Sequence, residues 1–524
     1  MAADFLIHSA VTRFARETPE HPALRFGGEA LSYAALDAAS DQLAQALVAG
    51  GLEKGDRVGL FLRKSLQLGV GIYGALKAGG VFVPLDPSMP AERLEFILRD
   101  CGIRHVVSAD DRAPILGELD ASLELQLYGV AAGTPFASTT WDAIRALPAR
   151  PPEVWIIDQD LGYLMYTSGS TGAPKGMMHT HHGSLSYARW GAQHVGLVPA
   201  DRVASHAPLH FDLSIFDFFS TAQAGATVVL VPEPVTKFPA SWTELIEEES
   251  ISVVFTVPFT LIEMLERGAM EERDLSSLRW ILFGGEPFPP MHLRALMAAL
   301  PGACFTNVYG PAEAPSCTCY DLPAAGEPFD EPVPIGTASV NSVDLILDDE
   351  GAECALGEAG ELCIKSSTLT RGYWNRPDLN ERAFLLREGH GPFPEVFYRT
   401  GDVVVRHADG LLRFLGRRDR MVKTRGHRVE LDEVEAAFAS HAGVLETAAY
   451  VVPDEQGSRD ICVAVTLREA GAFSDADLMR HARGKLPVYA LPRHLALVPE
   501  LPHTSGGKLD RKRLAEAPPH LSGS

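Results

Sequence analysis

One segment combines hydroxyl side chains, glycines and a lysine, and reads Tyr166-Thr-Ser-Gly-Ser-Thr-Gly-Ala-Pro-Lys-Gly176. It follows an apolar run, Gly162-Tyr-Leu-Met-Tyr166, that has the character of a β-strand. Glycine lets backbone N–H groups turn toward an anion, the hydroxyls donate further hydrogen bonds, and Lys175 adds a positive charge. The spacing is not that of a Walker loop, because no Gly-Lys-Ser/Thr follows at the required distance. The segment predicts a loop that binds polyphosphate, and a flexible Ser/Gly surface turn is the alternative.

Two further motifs contain groups that a nucleotide needs. Asn307-Val-Tyr-Gly-Pro-Ala-Glu313 places an aromatic ring, a tight turn and a carboxylate at the end of a predicted strand. Tyr398-Arg-Thr-Gly-Asp402 places an acidic side chain after a glycine turn. An aromatic face can stack on a purine, one carboxylate can hold Mg²⁺ among phosphate oxygens, and another can accept from ribose hydroxyls. Taken singly, each motif is also explained by a core tyrosine or a solvated aspartate.

The elements that must position these motifs alternate between compact apolar strands and helical stretches. This alternation predicts an α/β fold with mostly parallel sheets. From about Val340 the pattern changes to shorter strands and turns, which predicts a β subdomain. After the polar break Gly416-Arg-Arg-Asp-Arg420 a compact α+β unit follows. We therefore predict a large N-terminal domain at 1–415, a small mobile C-terminal domain at 416–524, and a hinge between them.

Composition excludes several classes of function. With 524 residues and 46% hydrophobic content, the chain is long enough for more than one domain. The formal charge of −22 argues against nonspecific nucleic-acid binding. No apolar stretch is long enough to span a bilayer and the N-terminus lacks a basic signal, so a soluble, cytoplasmic protein is predicted. Seven scattered cysteines predict neither a disulfide framework nor a zinc site, and His179, His181 and His182 are interpreted as solvated or structural.

Together the motifs resemble the adenylate-forming (ANL) superfamily, which includes acyl-CoA ligases, luciferases and nonribosomal-peptide adenylation domains. Within it the chain is most similar to the amino-acid-activating adenylation enzymes. The resemblance runs from Leu31 nearly to the C-terminus and keeps the order of the motifs. The matching segments are Leu76–Asp86, Tyr166–Gly176, His210–Ser214, Asn307–Glu313, Gly372–Pro377, Tyr398–Asp402, Gly416–Glu435 and Gly506–Asp510. The resemblance implies that an amino acid is activated by ATP as an aminoacyl adenylate, with release of pyrophosphate, and is then transferred to a thiol.

The resemblance also implies the nucleotide site. Its residues would be Thr167, Ser168, Gly169, Ser170, Thr171 and Lys175 in the phosphate loop, Tyr309 and Gly310 beside the adenine, Glu313 on Mg²⁺, Asp402 on the ribose, and Arg417. Lys508 would lie between the substrate carboxylate and the α-phosphate, so that Lys508, Thr167 and Glu313 share the catalytic role. Attack of a carboxylate on ATP gathers negative charge, and these groups supply positioning and electrostatic stabilisation. No general base is needed, because the carboxylate is already ionised at neutral pH.

The second half-reaction requires a thiol to reach the adenylate while Lys508 moves away. The resemblance implies a rotation of the C-terminal domain, with Asp419 at the hinge and Gly426 lining the thiol channel. Glycine suits the close passage of a pantetheine arm. For Asp419, an exposed charge in a turn is the alternative interpretation.

Asp212 determines the predicted substrate class. In the amino-acid-activating members an Asp at this position pairs with the substrate ammonium, and an unpaired carboxylate on a pocket wall would be costly. The alternative is that Asp212 caps the helix that runs through Phe216. Phe211 would be a mobile aromatic gate, and the other wall positions implied by the motifs are Leu213, Phe216, Thr256, Leu282, Gly284, Val308, Ser316 and Cys317. None of them is charged, which predicts a small neutral side chain such as that of alanine, serine or glycine; proline or a β-amino acid fits nearly as well.

The thiol acceptor is predicted from the C-terminus. The chain ends soon after Lys508 and shows no carrier domain. A freestanding ligase is therefore predicted, which loads the phosphopantetheine thiol of a separate acyl or peptidyl carrier protein in secondary-metabolite biosynthesis. Coenzyme A as acceptor and a nucleotide-binding protein without catalysis are the alternatives. Ala312 stands where many family members have Thr, which removes one hydroxyl from the predicted phosphate site.

Overall fold

A computed structural model describes residues 4–167, 174–330, 332–339, 341–389, 392–418, 420–453, 459–469, 471–503 and 509–519. The helices in these ranges are α1 (Ser9–Glu17), α2 (Tyr33–Ala49), α3 (Leu66–Lys77), α4 (Ala91–Asp100), α5 (Ala113–Gly117), α6 (Trp141–Arg145), α7 (His181–Val195), α8 (Leu213–Ile215), α9 (Thr221–Gln223), α10 (Pro239–Glu248), α11 (Pro258–Arg267), α12 (Pro290–Ala299), α13 (Pro377–Ala383), α14 (Leu431–Ala439), α15 (Asp475–Arg483) and α16 (Arg511–Glu516). A π-helical turn, Phe216–Ser220, joins α8 to α9. None of the helices in the described ranges has both the length and the apolar character that a membrane span needs.

The strands in the same ranges are short and mostly buried. They are β1 (Pro22–Phe26), β2 (Glu29–Ser32), β3 (Arg57–Phe61), β4 (Val81–Pro84), β5 (His105–Ser108), β6 (Gln126–Tyr128), β7 (Ala137–Thr139), β8 (Leu161–Thr167), β9 (Lys175–Thr180), β10 (Arg202–Ser205), β11 (Thr227–Leu230), β12 (Val253–Thr256), β13 (Trp280–Gly284), β14 (Cys304–Tyr309), β15 (Thr318–Asp321), β16 (Thr337–Ala338), β17 (Ser342–Leu347), β18 (Ala359–Ser366), β19 (Phe384–Glu388), β20 (Pro394–Arg406), β21 (Leu412–Arg417), β22 (Met421–Thr424), β23 (His427–Glu430), β24 (Val444–Pro453), β25 (Arg459–Leu467) and β26 (His494–Leu497).

A nine-stranded sheet has the order β16-β15-β14-β13-β12-β10-β11-β1-β2. Its central strands are parallel, and β2, β15 and β16 add antiparallel pairs toward the edges. Every residue of β11 is buried, because side chains pack on both faces of the sheet. On one face, Trp242 of α10, Leu261 of α11 and Leu293 of α12 form a core with Val254 of β12. This arrangement confirms the predicted α/β class.

A seven-stranded sheet has the order β7-β6-β5-β3-β4-β8-β9. The largest hydrophobic core contains Phe82 of this sheet, Val228 of the nine-stranded sheet, and residues of α3 and α7 such as Ile72 and Tyr187. Helix α7 begins where the Thr180 side chain accepts from the Gly183 N–H. The two sheets therefore share one core, and α7 runs directly from the strand that follows the predicted phosphate loop.

The chain divides into two compact units. One contains Met1–Pro87, Leu98–Tyr166 and Gly176–Arg418, and the other contains Ser88–Ile97, Thr167–Lys175 and Asp419–Ser524. The first unit ends in an antiparallel sheet of β17 to β21, which is the predicted β subdomain. The second unit has the three-stranded sheet β24-β25-β26 and the hairpin β22-β23, with α14 and α15 packed over the sheet.

Candidate active site

The carboxyl ends of three neighbouring parallel strands bring predicted wall residues together. Thr256 ends β12, Gly284 ends β13, and Val308 lies near the end of β14. Gly284 pairs with Val308 in the ladder, and Thr256 pairs with Phe283. Ligands of α/β proteins bind at this edge of the sheet, because the strands end there and the following loops form the crevice. The wall residues that the sequence motifs located are therefore neighbours in the fold.

A close backbone contact explains why residue 284 is a glycine, and sequence analysis did not identify this contact. A Cβ atom at this position would lie 2.2 Å from the carbonyl oxygen of Val308. The sequence motifs located Gly284 only as one of the uncharged wall positions. In the structure, glycine is required because the backbone of β14 passes close to that of β13.

The turn after β14 is equally tight. A Cβ atom on Gly310 would lie 2.3 Å from the backbone nitrogen of Ser316 and 2.7 Å from the carbonyl oxygen of Ala314. Ser316 has a φ of 50°, in the left-handed region that non-glycine residues seldom adopt. The Cys317 thiol donates to the carbonyl oxygen of Tyr309 at 3.6 Å. The turn thus holds Ser316 and Cys317 next to the strand that carries Tyr309.

Replacing Gly310 by alanine is expected to lower the free energy of unfolding by about 1–3 kcal/mol, because the added methyl group overlaps two backbone atoms. Urea unfolding followed by circular dichroism measures the change. Gly302→Ala is the matched control, since a Cβ there meets nothing within 4 Å. Equal destabilisation by both substitutions would contradict the steric account.

Asp212 does not cap the helix that follows it. It occupies the position before α8 with φ −61° and ψ −25°, and its side chain makes no capping hydrogen bond. Leu213 begins α8, and Phe216 begins the π-helical turn, where it is fully buried and meets Phe255 edge-to-face at 5.5 Å. The capping alternative for Asp212 is therefore wrong.

Two tyrosines that sequence analysis did not assign to the site lie near Asp212. Burial raises the pKa of Tyr187 on α7 well above its ordinary value; a hydrogen bond with Ser316 opposes the rise, and the charge of Asp212 adds to it. Burial also raises the pKa of Tyr163 on β8, again with a contribution from Asp212. Both tyrosines stay neutral and can only donate or accept hydrogen bonds. They were missed because neither lies in a recognisable motif.

The motifs predicted to bind ribose and adenine meet at Asp402. This carboxylate is 2% exposed and accepts from the Tyr309 hydroxyl and from the Arg417 guanidinium. Asp402 and Arg417 face each other in the ladder between β20 and β21. Three residues predicted from separate motifs are therefore in direct contact.

Glu313, the predicted Mg²⁺ ligand, is fully buried. Its carboxylate accepts from the Tyr373 hydroxyl at 2.6 Å, and its carbonyl oxygen accepts from the Thr370 N–H at 2.8 Å. Tyr373 belongs to the Gly372–Pro377 motif, so that motif orients the carboxylate. Carboxylate oxygens are the ligands that Mg²⁺ prefers, and Glu313 fits the predicted role chemically.

The three clustered histidines have separate surroundings. His179 is buried and stacks on Tyr163 at 4.7 Å; burial lowers its pKa to about 4, and the charge of Glu313 opposes this. The Nδ1 atom of His181 accepts from a backbone N–H at 3.4 Å, whereas His182 is exposed and lies 3.2 Å from an Asp158 oxygen. These environments agree with structural and solvated roles.

The remaining predicted residues lie at the ends of described segments or outside them. Thr167 ends β8, and its buried hydroxyl oxygen has no hydrogen-bond partner in the part of the chain that the structure describes; Lys175 begins β9 and is buried. Gly426 has a φ of 79° in the turn between β22 and β23. Ser168, Gly169, Ser170, Thr171, Asp419 and Lys508 lie outside the described residues.

Asp100, the last residue of α4, connects two of the motifs. Its carboxylate accepts from the Tyr166 hydroxyl at 2.6 Å and from the Arg376 guanidinium at 2.9 Å, and its carbonyl oxygen accepts from the Trp374 indole at 3.1 Å. The ring of Tyr166 also covers Gly176, where a Cβ would lie 2.9 Å from it. Tyr166 and Gly176, which flank the predicted phosphate loop, thus lie against each other, and Asp100 holds Tyr166 in place. An acidic residue at a helix C-terminus interacts unfavourably with the helix dipole. This unfavourable position was the sequence signal that could have indicated a special role for Asp100.

Comparison with known proteins identifies the family. The family model of AMP-binding enzymes matches residues 11–374, and that of the AMP-binding enzyme C-terminal domain matches residues 433–508. The chain belongs to the adenylate-forming enzyme family. It is an adenylation enzyme, an AMP-forming ligase.

Relatives of this adenylation enzyme cover nearly its whole length. An L-proline–[L-prolyl-carrier protein] ligase of Pseudomonas fluorescens is 36% identical over 97% of this chain and 99% of its own length. A ligase of the same name from Streptomyces coelicolor is 33% identical over 97% of each chain. In fold, the adenylation domain AlmE of Vibrio cholerae, solved with glycyl-adenosine-5'-phosphate, matches with a TM-score of 0.83 and 23% identity over 98% of each chain. The relatives support amino-acid adenylation followed by transfer to a carrier protein.

Proposed function

We propose that this adenylation enzyme activates a small neutral amino acid, with L-proline the first candidate, as the aminoacyl adenylate. ATP is the cosubstrate, Glu313 would hold its Mg²⁺, and pyrophosphate is released. The aminoacyl group then passes to the phosphopantetheine thiol of a separate carrier protein in secondary-metabolite biosynthesis. The observation that carries the proposal is the location of Asp212: it does not cap its helix, and its charge acts on Tyr187, which is hydrogen-bonded to the wall residue Ser316.

None of the predicted wall residues of the amino-acid pocket is charged, which supports a substrate with a neutral side chain. Phe216, Leu282 and Cys317 are fully buried, and Thr256 is nearly so. The Thr256 hydroxyl is 3.3 Å from Nδ1 of His206, so its polarity is directed at a protein partner. A charged substrate side chain would have no counter-charge here and would lose its hydration.

Proline is placed first because two relatives that align over nearly their full length carry proline in their names. A secondary ammonium still presents a positive charge with two N–H donors to Asp212. A compact ring suits apolar surroundings such as Leu282. Alanine, serine, glycine and β-alanine are the competing substrates.

The test is amino-acid-dependent exchange of labelled pyrophosphate into ATP, measured over a panel of L-proline, L-alanine, L-serine, glycine and β-alanine. L-Proline is expected to give the highest kcat/KM. A different small neutral amino acid in first place would refute the proline assignment alone, whereas exchange without any amino-acid dependence would refute the function. Loading of a holo carrier protein and of coenzyme A, assayed side by side, decides the acceptor: loading of coenzyme A alone would overturn the carrier proposal.

Asp100→Asn is expected to raise the KM for ATP about tenfold, because the amide loses a charged acceptor for Tyr166 and Arg376 at the base of the predicted phosphate loop. The KM for the amino acid should change less than twofold, as measured by the same exchange assay. Asp142→Asn is the control, since Asp142 is an exposed residue of α6. An unchanged KM for ATP would show that Asp100 has no part in holding the loop.

A further inference from the structure

A buried tyrosine of a neighbouring helix supports the π-helical turn Phe216–Ser220. The hydroxyl of Tyr73, on α3, donates to the carbonyl oxygen of Phe218 at 3.2 Å, and Tyr73 is 1% exposed. The same carbonyl oxygen accepts from the N–H of Thr221, only three residues ahead. A carbonyl oxygen has two lone pairs, so it can accept both bonds. Burial raises the pKa of Tyr73, so its hydroxyl keeps the proton that it donates.

The side chain that follows Phe218 is held at the same place. The Phe219 ring meets the Tyr73 ring edge-to-face, with centroids 5.7 Å apart, and lies 6.3 Å from the Phe82 ring of β4. All three rings are buried in the core that the two large sheets share. Aromatic contacts of this geometry add to the stability that burial provides. The π-helical turn is therefore attached to α3 by its main chain and by a side chain.

Helix α7 also packs against the π-helical turn, at Gly191. A Cβ atom on Gly191 would lie 2.5 Å from the Ser220 hydroxyl oxygen and 2.7 Å from the Phe216 ring. Glycine allows this close approach because it has no side chain. The turn therefore has fixed contacts with two helices, with α3 through Tyr73 and with α7 through Gly191.

The π-helical turn determines the direction of the side chains that precede it. Asp212 and the turn belong to one continuous helical segment that runs on to Gln223. A π-helical turn contains about one residue more than an α-helical turn, and each residue of an α-helix turns the chain by about 100°. Reversion of the turn to α-helix would rotate Asp212 relative to Phe219 by about this angle. Turns of π-helix are rare, and they occur frequently at functional sites.

We infer that Tyr73 is a positioning residue for amino-acid recognition. Its hydroxyl holds the Phe218 carbonyl and keeps the turn in its π-helical form, which sets the direction of Asp212 and the placement of Phe216 in the predicted wall. Tyr73 does not contact the substrate in this account. The inference rests on the proposed function, because it assigns Tyr73 to the amino-acid half of that site and not to the ATP half.

The test is Tyr73→Phe in the full-length chain, with pyrophosphate exchange and thermal unfolding measured on the same preparation. The substitution removes one hydroxyl and keeps the ring against Phe219. The KM for the amino acid that ranks first in the panel is expected to rise about fivefold, because one buried hydrogen bond is lost. The KM for ATP should stay within twofold of wild type.

Tyr33→Phe is the matched control. Tyr33 is also a buried tyrosine whose hydroxyl donates to a main-chain carbonyl, that of Ala226 at 2.7 Å. Ala226 precedes β11, whereas the predicted wall residues of β12 and β13 lie at the carboxyl ends of their strands. The loss of this shorter hydrogen bond should lower Tm to a similar extent, yet both KM values should stay near those of the wild type.

Gly191→Ala tests the same turn through its contact with α7. The added methyl group overlaps the Ser220 hydroxyl and the Phe216 ring, so it displaces the turn and should raise the amino-acid KM about tenfold. The KM for ATP should again stay within twofold of wild type. Gly302→Ala serves as the control here too, since a Cβ there meets nothing within 4 Å.

Three results would overturn the inference. These are an unchanged amino-acid KM in Tyr73→Phe, equal changes in its two KM values, and a rise in the amino-acid KM that Tyr33→Phe reproduces. The result for Tyr73→Phe decides the matter even where Gly191→Ala does not fold. A wild-type enzyme without exchange over the whole amino-acid panel would instead refute the proposed function, so the two failures are distinguishable.

Discussion

Replacing Asp212 by alanine is expected to abolish amino-acid-dependent pyrophosphate exchange, with a loss of at least about 10²-fold in kcat/KM. The carboxylate has no capping bond to its helix, and the proposed partner is the substrate ammonium. Removing one member of a buried charge pair costs roughly 2–5 kcal/mol, because the other charge is left unpaired. Exchange assays at saturating ATP measure the effect.

The control for this prediction is a substrate without the charge. Tetrahydrofuran-2-carboxylate has the shape of proline but no ammonium, and it should be a poor substrate for the wild type. In Asp212→Ala its disadvantage relative to proline should largely disappear. Undiminished exchange with proline would refute the ammonium-pairing assignment.

Lys508→Ala is expected to reduce adenylation by about 10²–10³-fold while thiolation of preformed aminoacyl adenylate falls far less. The reason is that the negative charge gathered between the carboxylate and the α-phosphate arises only in the first half-reaction. Exchange measures adenylation, and transfer from synthetic aminoacyl adenylate to a holo carrier protein measures thiolation.

Lys485→Ala, a change at another lysine of the C-terminal unit, should leave both half-reactions near their wild-type rates. Equal losses in both half-reactions for Lys508→Ala would count against a lysine that acts in one step and withdraws before the next. They would also count against the proposed rotation about Asp419.

The parts of the fold that the sequence predicts well are those with local signals. The β subdomain predicted from about Val340 begins with strand β17 at Ser342–Leu347, since alternating and apolar residues lie between clear turns. The α+β unit predicted after Gly416–Arg420 contains helix α14, Leu431–Ala439. At the site, Tyr309, Asp402 and Arg417 are neighbours, as the resemblance implied.

The parts that sequence does not predict depend on contacts between distant segments. Lys64 follows an apolar strand and has the pattern of a solvated lysine, yet its ammonium is bonded to carbonyls of β10. The sequence around Asp100 does not indicate its partners, because Tyr166 and Arg376 come close to it only in the folded chain. The absence of a cap at Asp212 could be seen only in the structure, because a carboxylate before a helix has the same sequence pattern whether or not it caps.

The contact between Gly284 and Val308 constrains any attempt to re-engineer the specificity of this enzyme. Introducing a bulkier residue at 284 to shrink the cavity would push against a main-chain carbonyl 2.2 Å away and distort two adjacent strands. Leu282 and Cys317 contribute buried side chains to the predicted wall, so substitutions there change side-chain volume and do not place a new Cβ against a main-chain carbonyl. Mutant libraries for altered substrates should therefore vary these two residues and keep glycine at 284.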